Sequence, residues 1–312
     1  MSEIKAILIC GSSIAIPVVR DMMFHQQIAA VVIPQHCTAF AAQVQLLLKD
    51  SGVPVVVVNK KNFVGELQLV IEKHTPALGL VFTFSYKIPA AVYTLPPKGF
   101  FNIHPGPLPA YQGPDPIFQQ IKNKEPYAAI SIHKLDEGFD TGPIVMIDKM
   151  HLAVTDTYGM LSKKLGELAS GMVTTLLKMA GFGNSVPARR QDHARAKFYK
   201  KQSADDITIN WLTMDAAGII ALINACNPWN KGAVTHLNQN IIRLLDGDYD
   251  ALLPLTDEAP GTIISIDEKG MKVATAAGQA MVVRMIYMDE GFLMAGRLKD
   301  FGIMPGARLG AA

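Results

Sequence analysis

Short apolar runs alternate with amphipathic segments through the first eighty residues, and that alternation restricts the chain to one kind of architecture. Ala6–Cys10, Ile28–Ile33, Pro54–Val58 and Leu78–Phe82 carry no charged residue, as expected of strands buried on both faces. Between them, Ile14–Met22, Phe40–Leu48 and Phe63–Lys73 repeat apolar residues at helical spacing. Strands separated by helices pair in parallel through right-handed crossovers, with helices covering both faces of the sheet. The first half is therefore expected to be a Rossmann-like α/β domain, an open, mostly parallel sheet with flanking helices.

Beyond Lys98 the texture changes. Phe100–Ile103 reads as one more strand, and Pro105, Gly106, Pro107, Pro109, Gly113, Pro114 and Pro116 follow. Proline at that density predicts a long irregular loop. Ala128–Leu135 reads as a strand, 136–142 as a turn, Ile144–His151 as its hairpin partner and Thr157–Met179 as a long helix. Residues 186–204 hold six basic groups against Asp192 and read as a basic linker. Five β-like runs follow, 232–237, 241–245, 261–266, 271–274 and 281–288, separated by Asn, Asp and Gly turns. They predict a small OB-like β-barrel. The expected domains are 1–185 (catalytic), 186–204 (linker) and 205–312 (barrel).

With 49% hydrophobic and 18% charged residues the chain fills ordinary cores, which excludes a disordered protein. The net charge of +2 conceals a partition. Residues 1–185 carry 15 basic and 13 acidic groups, the linker 6 and 1, and 205–312 carry 8 and 13. A barrel of net charge −5 is a poor match for a phosphate backbone. Cys10, Cys37 and Cys226 lie far apart with no CxxC spacing, so neither a disulfide framework nor a zinc site is expected, and a reducing cytoplasm fits best. No run of eighteen apolar residues is present, so no membrane partner is expected.

Chemistry concentrates in Asn102-Ile103-His104-Pro105-Gly106-Pro107-Leu108-Pro109 and in Leu135-Asp136-Glu137-Gly138-Phe139-Asp140-Thr141-Gly142. Asn102 and His104 are two apart at a strand end, so both side chains point the same way. The carboxyl ends of the strands are where open α/β sheets bind ligands. An amide donor, an imidazole and a carboxylate together suit acyl transfer. The first two stabilise a tetrahedral oxyanion, and the carboxylate orients the histidine and is expected to raise its pKa.

These two segments resemble the paired signatures of formyltransferases that use 10-formyltetrahydrofolate, most closely the methionyl-tRNA formyltransferase branch. The resemblance extends to Gly11-Ser12-Ser13-Ile14-Ala15-Ile16-Pro17, to Thr83-Phe84-Ser85-Tyr86-Lys87-Ile88-Pro89 and to Ile223-Asn224-Ala225-Cys226-Asn227-Pro228-Trp229. It implies that Asn102 holds the formyl oxygen, that His104 stabilises the oxyanion and moves protons, and that Asp140 orients His104 and helps deprotonate an amine. It implies a folate pocket formed by Phe84, Ser85, Tyr86, Ile88 and Pro89, by Gly106, Pro107, Leu108 and Pro109, and by Leu135, Asp136, Glu137 and Gly138. No metal is implied. The formyl donor would be 10-formyltetrahydrofolate, placing the protein in one-carbon metabolism, and the acceptor a primary amine.

Two departures bear on that amine. Ile33-Pro34-Gln35-His36-Cys37-Thr38 runs almost directly into a helix where the methionyl-tRNA enzymes usually carry a basic, Gly-rich insertion, and Ala110 and Gln112 stand where arginines are common. The acceptor is thus either an aminoacyl-tRNA or a small amine such as an amino sugar. Two other classes stay open, a formyltetrahydrofolate hydrolase with the same trio and a non-catalytic folate- or RNA-binding module.

Overall fold

A computed structural model describes residues 4–183, 185–237, 240–250 and 255–310. They divide into two compact units, one comprising Met1–Pro116, Tyr127–Met150 and Ser162–Tyr199, the other Ile117–Pro126, His151–Leu161 and Lys200–Ala312.

The first half of the chain runs β1 (Ala6–Cys10), α1 (Ile16–Phe24), β2 (Ile28–Pro34), α2 (Thr38–Leu48), β3 (Val55–Val58), α3 (Phe63–His74), β4 (Leu78–Phe82), α4 (Ala90–Tyr93) and β5 (Phe100–His104). It continues through α5 (Pro116–Lys122), β6 (Tyr127–Lys134), β7 (Ile144–His151) and α6 (Tyr158–Phe182). The seven strands form one sheet in the order β3-β2-β1-β4-β5-β6-β7. The first five are parallel, and β6 returns antiparallel to β5. The doubly wound, mostly parallel sheet expected from the alternation is therefore present, with its strand order reversing between β1 and β4.

Burial explains the lack of polar residues in these strands: every residue of β1, β2 and β4 is buried. Phe63, Leu67, Val70 and Ile71 of α3 pack with Ile7, Ile9, Val81 and Phe100 in one cluster. Gly79 makes room for Phe100 on the neighbouring strand, since a Cβ there would lie 2.2 Å from the phenyl ring. The proline-rich loop departs from expectation at its end, where Pro116 opens helix α5. Proline suits a first helical turn because its missing N–H has no intrahelical partner to lose.

In the second unit, α7 (Ala216–Ala225) precedes β8 (Ala233–Leu237), β9 (Asn240–Asp248), β10 (Ile263–Asp267), β11 (Gly270–Ala274), β12 (Ala280–Met288) and β13 (Gly291–Met294). Their antiparallel sheet has the order β10-β11-β12-β9-β8, with β13 added to β12. Its edges do not stay open. Leu309 bridges to Leu237 at the end of β8, and Arg308 bridges to Thr262 beside β10. The Gly310 amide donates to the His236 carbonyl at 2.7 Å, and the Leu309 amide to the Gly261 carbonyl at 2.8 Å. The segment thus closes the sheet into a small barrel. Five strands were read from the sequence; β13, four residues opened by Gly291, is too short a run to stand out there.

Candidate active site

The first chemical side chains come from β5. Across the antiparallel ladder Asn102 sits opposite His133, and His104 opposite Ser131. Asp140 arrives from the turn after β6, in a left-handed conformation with φ of 57°. The Asn102 Nδ2 group donates to Asp140 Oδ1 at 3.0 Å and to His133 Nε2 at 3.1 Å. His133 can accept there because its Nδ1–H donates to the Lys134 carbonyl at 2.9 Å, which leaves a lone pair on Nε2. Both amide protons of Asn102 are thereby engaged.

His104 is 4% exposed. Its Nε2 lies 2.6 Å from the Tyr111 carbonyl oxygen, and since a carbonyl only accepts, that nitrogen carries the proton. Its Nδ1 lies 3.4 Å from Asp140 Oδ1. The sequence led to an imidazole with a raised pKa, and the structure reverses that expectation. Burial, which disfavours the cation, outweighs the opposing pull of Asp140 and the Tyr111 carbonyl, and His133 adds to the lowering. His104 is therefore neutral near pH 7, its free lone pair beside a carboxylate. For Asp140, burial pushes the pKa up, but the positive charge that His104 and His133 carry when protonated, together with the Gly113 N–H, holds it at about 2. That amide donates to Asp140 Oδ2 at 3.0 Å.

The sign of these shifts is testable. The folded state disfavours protonation of His104, so its imidazole resonance should titrate with a midpoint below the ordinary 6.5; a midpoint at or above that value would contradict the burial argument. As pH falls below 6.5 the unfolded chain takes up a proton that folded His104 resists, so stability declines. A second loss follows between the ordinary aspartate value of 3.8 and about 2, as the contribution of Asp140 disappears.

The trio opens onto a cavity of about 510 Å³. Phe84, Ser85, Tyr86 and Ile88 line it, as do Leu135, Asp136 and Gly138 and the trio Asn102, His104 and Asp140. Pro89, Glu137 and the run Gly106, Pro107, Leu108 and Pro109 are not among its lining residues. Pro89 instead precedes α4. The Gly106–Pro109 loop is tied to β6 through Ser131, whose hydroxyl donates to the Gly106 carbonyl at 2.7 Å and accepts from the Leu108 amide at 3.0 Å.

Several contributors escaped the sequence reading. His133 is legible only once the β5–β6 register is known. Gly113 has φ of 115°, and a Cβ there would lie 2.1 Å from the Tyr199 carbonyl. Phe198 also lines the cavity. It belongs to the segment read as a linker, which is laid along the first unit. The Gln112 amide donates to the Lys197 carbonyl, and the Tyr199 amide donates back to Gln112. Tyr199 stacks on Tyr111 with ring centroids 5.2 Å apart.

The cavity suits a small organic ligand. Its size falls in the ordinary range for small-molecule sites, and apolar and aromatic side chains dominate its walls with a few converging polar groups. Comparison with known proteins agrees. The sequence model of formyl transferase matches residues 7–177, and that of the formyl transferase C-terminal domain matches 201–297. A methionyl-tRNA formyltransferase from Kosmotoga olearia is 29% identical over 269 residues, covering 84% of this chain and 85% of the relative. Among solved structures, HypX from Aquifex aeolicus in complex with tetrahydrofolic acid superposes with a TM-score of 0.66 at 16% identity, over 95% of this chain and 47% of that one. WlaRD, a sugar 3N-formyl transferase crystallised with dTDP and 5-N-formyl-THF, gives 0.65 at 15% identity, over 91% and 98%. The chain belongs to the formyl transferase family.

Proposed function

We propose that the protein transfers the formyl group of 10-formyltetrahydrofolate to a small primary amine, such as an amino sugar, in the cytoplasm. The observation that carries the transfer reading is the meeting of Asn102, His104 and Asp140 in one cavity, with Nδ1 of His104 3.4 Å from Asp140. When bound, the folate supplies the one-carbon unit. Phe84, Tyr86, Ile88 and Leu135 would hold its ring system, and backbone groups of the 135–138 turn would read its polar edge.

His104, neutral at working pH, accepts the amine proton on Nδ1 as the amine nitrogen bonds to the formyl carbon; the resulting imidazolium lies against ionised Asp140 and would return that proton to the folate nitrogen as its bond to the formyl carbon breaks. Asn102 stabilises the charge that grows on the formyl oxygen. The N–H now given to His133 is the one it can redirect, because Asp140 retains the other. No step of this reading calls on a metal.

The choice of a small amine is supported by what surrounds the site. Only Gln35–Cys37 separate β2 from α2, so no long insertion reaches out to grip RNA. Among the described residues lining the cavity, Lys87 is the single lysine or arginine. Phe198 offers a flat apolar surface on which a ring-bearing acceptor can rest.

The test supplies 10-formyltetrahydrofolate with a panel of amino sugars and small amines, and separately with charged initiator tRNA. Formylation of a small amine is expected, and Phe198→Ala should raise the acceptor KM about tenfold with the folate KM unchanged, a loss of the size expected for one stripped apolar contact. Faster transfer to tRNA than to every small amine would overturn the acceptor assignment. Folate turnover in water alone would favour a hydrolase, and folate binding without turnover a non-catalytic module.

A further inference from the structure

Asp140 carries the carboxylate that meets His104, and its backbone occupies the left-handed region, which aspartate tolerates better than most residues with a Cβ but at some cost. The hydrogen bonds around the turn converge on Gln191, a buried residue on the strand-like segment that follows the catalytic sheet. Its Nε2 donates to the Asp140 carbonyl at 2.7 Å and to the Gly142 carbonyl at 2.8 Å, one on either side of Thr141. Its Oε1 accepts from Gln112 Nε2 at 3.3 Å, and that nitrogen also donates to the Asp140 carbonyl at 3.1 Å.

We propose that Gln191 is a positioning residue for Asp140, its carboxamide fixing the left-handed turn and thereby the place of the carboxylate beside His104. The assignment rests on the formyl-transfer reading for its functional meaning and on hydrogen-bond geometry for its structural content. The chemistry requires a glutamine. Two N–H donors must leave a single atom toward two carbonyls while an oxygen on the same group receives Gln112. A carboxylate offers no donor, and asparagine is one methylene shorter. The segment is also anchored so that it can bear the role. Arg189 and Ile144 exchange two backbone hydrogen bonds at 2.8 Å, and the Lys197 amide donates to the Pro109 carbonyl at 3.1 Å. Gln191 is thus tied on both sides to the elements that carry the site.

The test compares the wild-type protein with Q191M, similar in length but without donors, and Q191E, which places a carboxylate against two carbonyls. With Asp140 released, kcat is expected to fall about 10- to 100-fold while the folate KM stays within twofold, since small displacements of a catalytic group cost rate on this scale. Substrate-free NMR supplies the second readout. The titratable groups facing His104 are Asp140 and His133, and only Asp140 favours its protonation. Loss of Asp140 from its place should therefore move the His104 midpoint to lower pH in both variants. Unchanged kcat with an unchanged His104 midpoint would overturn the proposal. So would a parallel loss of kcat, folate binding and unfolding midpoint, which marks a merely structural residue. Because the titration needs no substrate, a wild-type protein inactive on every acceptor would sink the transfer reading while the NMR comparison still decided the role of Gln191.

Discussion

His104→Ala is expected to lower kcat for formyl transfer about a thousandfold, the middle of the range for loss of a positioned proton acceptor. The loss should fall on kcat. Folate binding should stay near the wild-type level, because the proposed folate-holding side chains come from the 84–88 loop and the 135–138 turn and not from His104. Single-turnover rates with saturating folate, paired with a folate binding titration, separate the two effects. Asn102→Ala should cost about 100- to 1000-fold, as expected for one oxyanion donor. Near-wild-type turnover by either folded variant would remove the trio from the chemistry.

Phe100→Ala is expected to destabilise the catalytic unit by about 3–5 kcal/mol, the usual cost of deleting a buried phenyl ring. The ring is 2% exposed, shares a cluster with residues of α3, and fills the space that Gly79 leaves open. The consequence reaches the site, because Phe100 opens the strand that ends in Asn102 and His104. Urea unfolding followed by a probe in the first unit measures the loss; less than about 1 kcal/mol would mean that the cavity collapses without strain.

How much of this was legible beforehand depended on range. The parallel sheet follows from strand–helix alternation, a local pattern, and the common orientation of Asn102 and His104 follows from their spacing of two. Asp140 was found by its motif. His133 was not, because its importance lies in facing Asn102 across a ladder whose register is set by the whole hairpin. Gln191 lay in a segment whose six cations suggested a solvated connector, and nothing local shows that its amide is buried against the turn at 140–142. The direction of the His104 shift was missed for a related reason. A neighbouring carboxylate can be inferred from a motif, but depth of burial is a property of the packed molecule, and here burial dominates.

The closure of the barrel by residues 307–310 fixes an order of events during synthesis. The β8 and β10 edges gain their last partners only from that segment. Val234 of β8 is already paired by Thr208 and Ile209, but until residue 310 has cleared the exit tunnel of the ribosome the far end of β8 and the start of β10 present unpaired backbone groups, the kind of template that recruits strands from other nascent chains. The barrel is therefore completed by a segment made after all six of its strands, and residues 307–310 act as the latch that ends that exposure.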